Sequence, residues 1–294
     1  MNTSNEQKIA LGTVQFGLNY GVANSAGKVI PDAVRSILAA ARGHRIDTLD
    51  TAINYGDSEA VLGSAGVAGF KIISKLPQLP TDCRDVEGWV RTQVNASLAR
   101  LGIATLEGFL LHRPDDLLGP HGAAMSRALE TLVSDGLVRK IGVSIYAPGE
   151  LDALCAACHI DLVQAPFNVI DRRLASSGWM ARLHGMGVEI HTRSTFLQGL
   201  LLMARNDIPA KFAPWAALWD GWHDWRREHA YSAVEASLAF VLAFPQVSRV
   251  VVGVDSLAQL DGIAAAAGIA PPARFPDLPQ PGEVLVNPSL WSGL

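Results

Sequence analysis

The sequence is poor in cysteine: Cys83, Cys155 and Cys158 are the only three in 294 residues. Three cannot all pair with one another, which excludes a disulfide-built scaffold and points to a reducing, cytoplasmic setting. Cys155 and Cys158 have C-x-x-C spacing. No second such pair completes a zinc site and no strand leads into it as in a thioredoxin motif. They read as two small apolar residues on a helix face, and no metal is expected. Long hydrophobic runs are also missing. Stretches such as 238–244 are too short to span a bilayer. The opening MNTSNEQK is polar and does not read as a secretory signal. No basic stripe appears, and 24 Lys+Arg against 28 Asp+Glu leave a net charge of −4. Neither a nucleic acid nor a membrane is therefore expected as a partner. No G-x-G-x-x-G follows a strand-like run, which argues against a Rossmann domain. Gly63, Gly66 and Gly69 come near that spacing, but they follow a helical pattern and precede a strand, as a turn does.

What is present is an alternation. The composition, 49% hydrophobic and 18% charged, is that of an ordered globular chain. Strand-like runs fall at 9–13, 46–50, 70–75, 106–112, 138–143, 161–164, 188–192 and 250–252. Between them lie segments whose apolar residues recur every three or four positions, among them 31–42, 85–101, 123–134, 233–244 and 256–267. Pro31-Asp32 and Asp255-Ser256 read as helix starts. Gly102 and Gly136 follow two helix ends, where a left-handed cap is common. Eight strand-helix units imply parallel strands with right-handed crossovers, and so an α/β protein folded as a single-domain (β/α)8 TIM barrel over residues 1–294. Residues 269–294, rich in proline (Pro271, Pro272, Pro276, Pro279, Pro281), read as an extended strap on that barrel.

In such a barrel the active site is built at the carboxyl ends of the strands. Asp50 ends the second run, Tyr55 follows it, Lys75 ends the third and His112 the fourth. Any one of them alone would be unremarkable, but three consecutive strands deliver ionisable groups to one rim. The chemistry that fits is proton transfer at a carbonyl oxygen. A tyrosine hydroxyl loses its proton near pH 10 in water, and a neighbouring ammonium lowers that value. A carboxylate keeps the ammonium charged, and a histidine can hydrogen-bond the oxygen as charge develops. A tyrosine so tuned is a general acid in one direction and a general base in the other. The hydride must come from a cofactor, since no side chain supplies one.

The runs Asp50-Thr-Ala-Ile-Asn-Tyr55-Gly-Asp-Ser-Glu59, Leu110-Leu-His112-Arg-Pro-Asp115, Gly142-Val-Ser144 and Leu11-Gly12-Thr13 with Phe16-Gly17 resemble the signature segments of the aldo-keto reductases, in order from about residue 9 to about residue 267. The resemblance implies a TIM barrel that binds NADP(H), less often NAD(H), in extended form, with Asp50, Tyr55, Lys75 and His112 as the catalytic tetrad. It implies a small carbonyl or alcohol (aldehyde, ketone or sugar) as substrate. A non-catalytic nucleotide-sensing or partner-binding member of the same fold is the alternative. A barrel enzyme with Lys75 as a Schiff base would need a desolvated, neutral lysine.

By the same resemblance the cofactor-binding set is Gly12, Thr13, Ser144, Gln164, Arg193, Ser194, Leu197, Gly199, Gly253, Asp255, Ser256 and Gln259. Ser144 and Gln164 match two of the family's three nicotinamide-carboxamide contacts; Ile145 stands where the third, an asparagine, is usual. Arg193 stands where an aromatic ring usually stacks on the nicotinamide. A guanidinium can also stack, or can hydrogen-bond a phosphate or an acidic substrate. Asp255 stands near the position at which NADPH-preferring relatives carry a cation for the 2′-phosphate. An aspartate repels that phosphate and so favours NAD(H); Asp255 also reads as the helix N-cap, and the two readings are compatible. Trp215, Trp219, Trp222 and Trp225 lie close to one helical face and read mainly as packing. Asn19, Tyr20 and Asn54 fall in loops at the mouth.

Overall fold

A computed structural model describes residues 5–24 and 26–294. Eight parallel strands close into one barrel in sequence order: β1 (Ile9–Gly12), β2 (Thr48–Asp50), β3 (Lys71–Leu76), β4 (Gly108–Leu111), β5 (Ile141–Ser144), β6 (Leu162–Pro166), β7 (Glu189–Arg193) and β8 (Arg249–Gly253). β1 pairs with β8 through Ile9↔Val250 to Gly12↔Gly253, which closes the ring. This is the expected (β/α)8 fold, with strand ends moved by a few residues. The largest differences are β5, which starts at Ile141 and not at 138, and β4, which is shorter than 106–112. Leu106 makes only an isolated bridge to Val138, and His112 lies one residue beyond the strand.

The helices form where periodicity and end signals agree. Pro31–Gly43 has Pro31 in its first turn, Asp32 at the positive end of its dipole and Arg42 at the negative end. It buries Val34, Ile37, Leu38 and Ala41, one stripe at helical spacing. Val86–Leu101 starts where the Asp85 carboxylate accepts from Gly88 N at 2.9 Å and stops at Gly102, φ 67°. Ala233–Leu242 opens on a reciprocal cap between Ser232 and Glu235. Helices Ser58–Ala65, Leu151–Ala157 and Trp179–Gly185 were not marked by periodicity and are short enough to be carried by packing.

Side chains two residues apart on a strand share a face, so the barrel interior is layered. At the floor, Lys140 pairs with Glu107 and Glu189, each at 2.8 Å, and Arg249 reaches Asp47 at 3.3 Å. The middle is apolar: Ile73, Leu110 and Leu162 form a small cluster of their own, apart from the large core between strands and helices. The upper layer is polar and holds Asp50, Lys75 and Gln164. A charged floor and a polar ceiling on an apolar plug leave one end of the barrel chemically competent.

After β7 the chain makes a long excursion through Ala216–Glu228 and Ala233–Leu242 before β8. Trp219 and Trp222 are buried there and donate to Phe212 O at 3.0 Å and Leu201 O at 3.1 Å. These two hydrogen bonds tie the helix Ala216–Glu228 to the earlier part of the same excursion. From residue 268 the chain runs irregularly, then turns through Gly282–Val286; Trp215 donates to Pro281 O at 2.7 Å and Arg172 to Pro276 O at 2.6 Å. No helix among the described residues is long and apolar enough to cross a membrane. Cys83, Cys155 and Cys158 are free thiols, and burial pushes those of Cys155 and Cys158 up from the ordinary value.

Gly142 inside β5 tests the barrel's tolerance. A Cβ there would lie 1.9 Å from Leu162 O on the neighbouring strand, whereas one at Gly149 meets nothing within 4 Å. Gly142→Ala should lower unfolding free energy by about 1–3 kcal/mol in denaturant titration, with Gly149→Ala near neutral.

Candidate active site

β2 and β3 deliver the centre of the site. Lys75, with no exposed side-chain surface, donates to Asp50 Oδ1 at 2.6 Å, to Thr51 O at 2.9 Å and to Tyr55 Oη at 3.5 Å. All three ammonium N–H groups are thus used. The second carboxylate oxygen of Asp50 accepts from Gln164 Nε2 across the barrel at 2.7 Å. The Asp50 carbonyl accepts from both the N–H and the hydroxyl of Thr13, each at 2.9 Å. Burial pulls the Lys75 ammonium down, but the charge and hydrogen bond of Asp50, with Tyr55, outweigh it and hold it above the ordinary lysine value.

Tyr55 is placed by backbone contact. A Cβ on Gly17 would lie 1.8 Å from Tyr55 O, and Gly56, at φ 59°, sits against Gly17 O. The two glycines let the 16–17 turn and the 55–56 turn interlock. Ser58 and Glu59 of the same run lie behind this contact. Ser58 Oγ donates to Thr13 O at 2.9 Å. Glu59 is buried and accepts from Ser74 and Ser97, each at 2.6 Å, and from Arg100 at 2.8 Å. These two residues hold the scaffold and do not face the cleft.

His112 packs edge-on to Tyr55, ring centroids 5.7 Å apart, and its Nδ1 lies 3.0 Å from Asn54 Oδ1. Burial, followed by the charges of Lys75, Arg193 and Arg113, lowers His112 to about 3. The imidazole is therefore neutral near pH 7.

A cleft of about 590 Å³ runs from Asp50, Tyr55, Gln164 and Arg193 to Asp255, Gln259, Ile263 and Ile269. Gly12, Thr13, Ser194, Gly199 and Gly253 also line it. Three of the sequence-derived cofactor residues do not line it. Ser144 is buried level with Gln164 at the end of β5, Leu197 is fully buried, and Ser256 caps the helix Leu257–Ala267 by accepting from Gln259 N at 3.3 Å. Asp255 is thus not the N-cap. Its carboxylate accepts from Asn24 Nδ2 at 3.3 Å, and burial pushes it up while Gln259 pulls it down. Ile145 is wholly buried. The Arg193 guanidinium lies over the Tyr146 ring, 4.8 Å from its centre, and donates to Ile145 O at 2.9 Å.

Two wall atoms, Gln15 Oε1 and Thr195 Oγ1, are buried without a hydrogen-bond partner. Buried polar atoms are rarely left so, and both lie where a bound polar ligand would meet them. No local pattern singled out these residues: Gln15 and Thr195 are marked only by a missing partner, and Asn24 and Tyr146 by partners remote in sequence.

The aldo/keto reductase family model matches residues 8–271. The chain belongs to that family. It is 31% identical over 163 residues to 6-dehydroglucose reductase from Novosphingobium aromaticivorans, covering 50% of this chain and 51% of that one. It is 29% identical over 209 residues to human aflatoxin B1 aldehyde reductase member 2, covering 65% and 54%. The chain thus spans about half the length of these curated relatives. Among solved structures, an aldo-keto reductase from Bacillus halodurans shares the fold with TM-score 0.73 at 20% identity, over 90% of this chain and 88% of that one. Glycerol dehydrogenase from Gluconobacter oxydans does so with TM-score 0.69 at 23% identity, over 90% and 87%.

The lowered His112 value has a testable sign. In the unfolded chain a histidine takes up its proton near pH 6.5, so the stability that neutral His112 contributes is complete above that pH and is lost as pH falls toward about 3. His112→Gln should flatten the acid side of a stability–pH profile. The His112 ring resonances should stay unshifted between about pH 5 and 8, and an inflection there would contradict this geometry.

Proposed function

We propose that this aldo/keto reductase is an NAD(P)(H)-dependent oxidoreductase that interconverts a small carbonyl compound and its alcohol, with Tyr55 as the general acid and base. The observation that carries this reading is the position of the Lys75 ammonium, clamped by Asp50 and Thr51 and directed at Tyr55 Oη at the inner end of the cleft. When bound, the dinucleotide supplies or accepts the hydride. The protein's own residues handle the proton. In reduction Tyr55 gives its proton to the carbonyl oxygen, and the Lys75 charge stabilises the phenolate left behind. Asp50 keeps that charge in place. His112 is neutral at working pH and is not the acid; its one ring N–H is given to Asn54 Oδ1, and its ring packs edge-on to Tyr55. Lys75 is also no Schiff-base nucleophile, since it is held charged with its N–H groups engaged.

A nicotinamide dinucleotide fits the cleft. Gln164 spends its amide N–H on Asp50 and keeps its carbonyl for a carboxamide, while Gln15 and Thr195 offer the two unpartnered polar atoms. NADP(H) is the family's usual cofactor; the Asp255 carboxylate in the cleft wall disfavours a 2′-phosphate and supports NAD(H). The named relatives that reduce aldehydes and a dehydroglucose support the substrate class.

Fluorescence titration with NADPH and NADH, followed by assay of aldehydes, ketones and sugars, tests the reading. At least one nucleotide should bind. Tyr55→Phe should lose about 10²–10⁴-fold in turnover and keep its nucleotide affinity. Failure of both nucleotides to bind, or unchanged turnover in Tyr55→Phe, would overturn it. Separately, Asp255→Arg should shift the ratio of NADPH to NADH affinity by about tenfold toward NADPH.

A further inference from the structure

We infer that Arg193 binds a carboxylate carried by the substrate, so that the substrate class is an acidic carbonyl compound, an aldehyde or keto acid; this rests on the reductase reading above.

Arg193 ends β7, and its guanidinium crosses the end of β6 to donate to Ile145 O just after β5, at 2.9 Å. It therefore points away from β8, Gly253 and Asp255, where the far part of the cleft lies, and toward the Tyr55 end. Its plane rests on the Tyr146 ring, and Nη1 donates to Ser194 Oγ at 3.3 Å. That leaves donors and one face toward the cleft, which Arg193 lines. Among the described residues no carboxylate pairs with it. Of the other charges near the centre, Lys75 is matched by Asp50, His112 is neutral, and Arg113 is exposed and does not line the cleft. Among the described residues, the cleft's inner end is thus lined by one uncompensated cation in a fixed fork, which matches one carboxylate in charge and geometry. Stacking on a nicotinamide would leave this charge unmatched, and the oxidised ring is itself positive.

Arg193→Gln is the variant to test, because Arg173 and Glu150 still hold the 146 loop at 3.2 Å and 2.8 Å. Glyoxylate, succinate semialdehyde and glucuronate are assayed beside acetaldehyde, butanal and glucose. Succinate and malonate binding and nucleotide affinity are measured by calorimetry. The wild type should prefer the acids. In Arg193→Gln, dicarboxylate affinity should fall at least about tenfold, and kcat/KM for the acids should fall at least about tenfold more than kcat/KM for the neutral partners. Arg193→Lys should recover part of the acid preference. Equal losses on acidic and neutral substrates, a weakened nucleotide affinity instead, or no dicarboxylate binding by the wild type would overturn the assignment. Arg193-dependent dicarboxylate binding without turnover of any carbonyl would support it and count against the reductase reading.

Discussion

The rest of the site hangs on the contact between Lys75 and Asp50, an ion pair with side-chain exposures of 0% and 5%. Removing two charges from water costs several kcal/mol for each, and Coulomb attraction alone seldom recovers it. Here the cost is offset by complete hydrogen bonding: Thr51 O and Tyr55 Oη take the remaining ammonium protons, and Gln164 satisfies the far carboxylate oxygen. The pair also sets the local field. It holds Lys75 charged, and Lys75 is one of the charges that keep His112 neutral. Loss of either ionic partner leaves an uncompensated buried charge, so substitutions there mix folding with chemistry. Tyr55, at the edge of the network, can lose its hydroxyl without that cost.

The signature run from Asp50 to Glu59 divides its labour between chemistry and scaffold. Asp50 and Tyr55 face the cleft. Ser58 ties the run to Thr13, and Glu59 ties it to β3 and the helix Val86–Leu101 through Ser74, Ser97 and Arg100. Gly17 and Gly56 interlock two turns, and a side chain at either would collide with the backbone that carries Tyr55 or with the turn packed on it. Motif residues that do not line the cleft thus fix the Lys75–Tyr55 distance on which the proposed proton transfer depends.

The two ends of the cleft have opposite electrostatic character. Arg193 brings an unmatched positive charge to the Tyr55 end, and Asp255 a carboxylate to the other. Ile145, which departs from the family's usual residue, has a buried side chain, and the backbone carbonyl at that position anchors Arg193. The two departures are one local arrangement, with Tyr146 as the platform beneath the guanidinium.

The sequence by itself determined the barrel and its centre. Strand-helix alternation carries a two- or four-residue period that is visible locally, and position at a strand end assigns Asp50, Lys75 and His112 to one rim. It missed the short helices, whose periodicity is too brief to register, and it offered Asp255 as the cap where Ser256 fills that place, because both are good caps and only backbone geometry separates them. Tertiary structure alone decided which atoms of the cleft lack partners, where the Arg193 fork points and that Asp255 meets Asn24. Those contacts join residues from about 50 to more than 200 positions apart, or depend on a partner's absence. Neither leaves a mark on local composition or spacing.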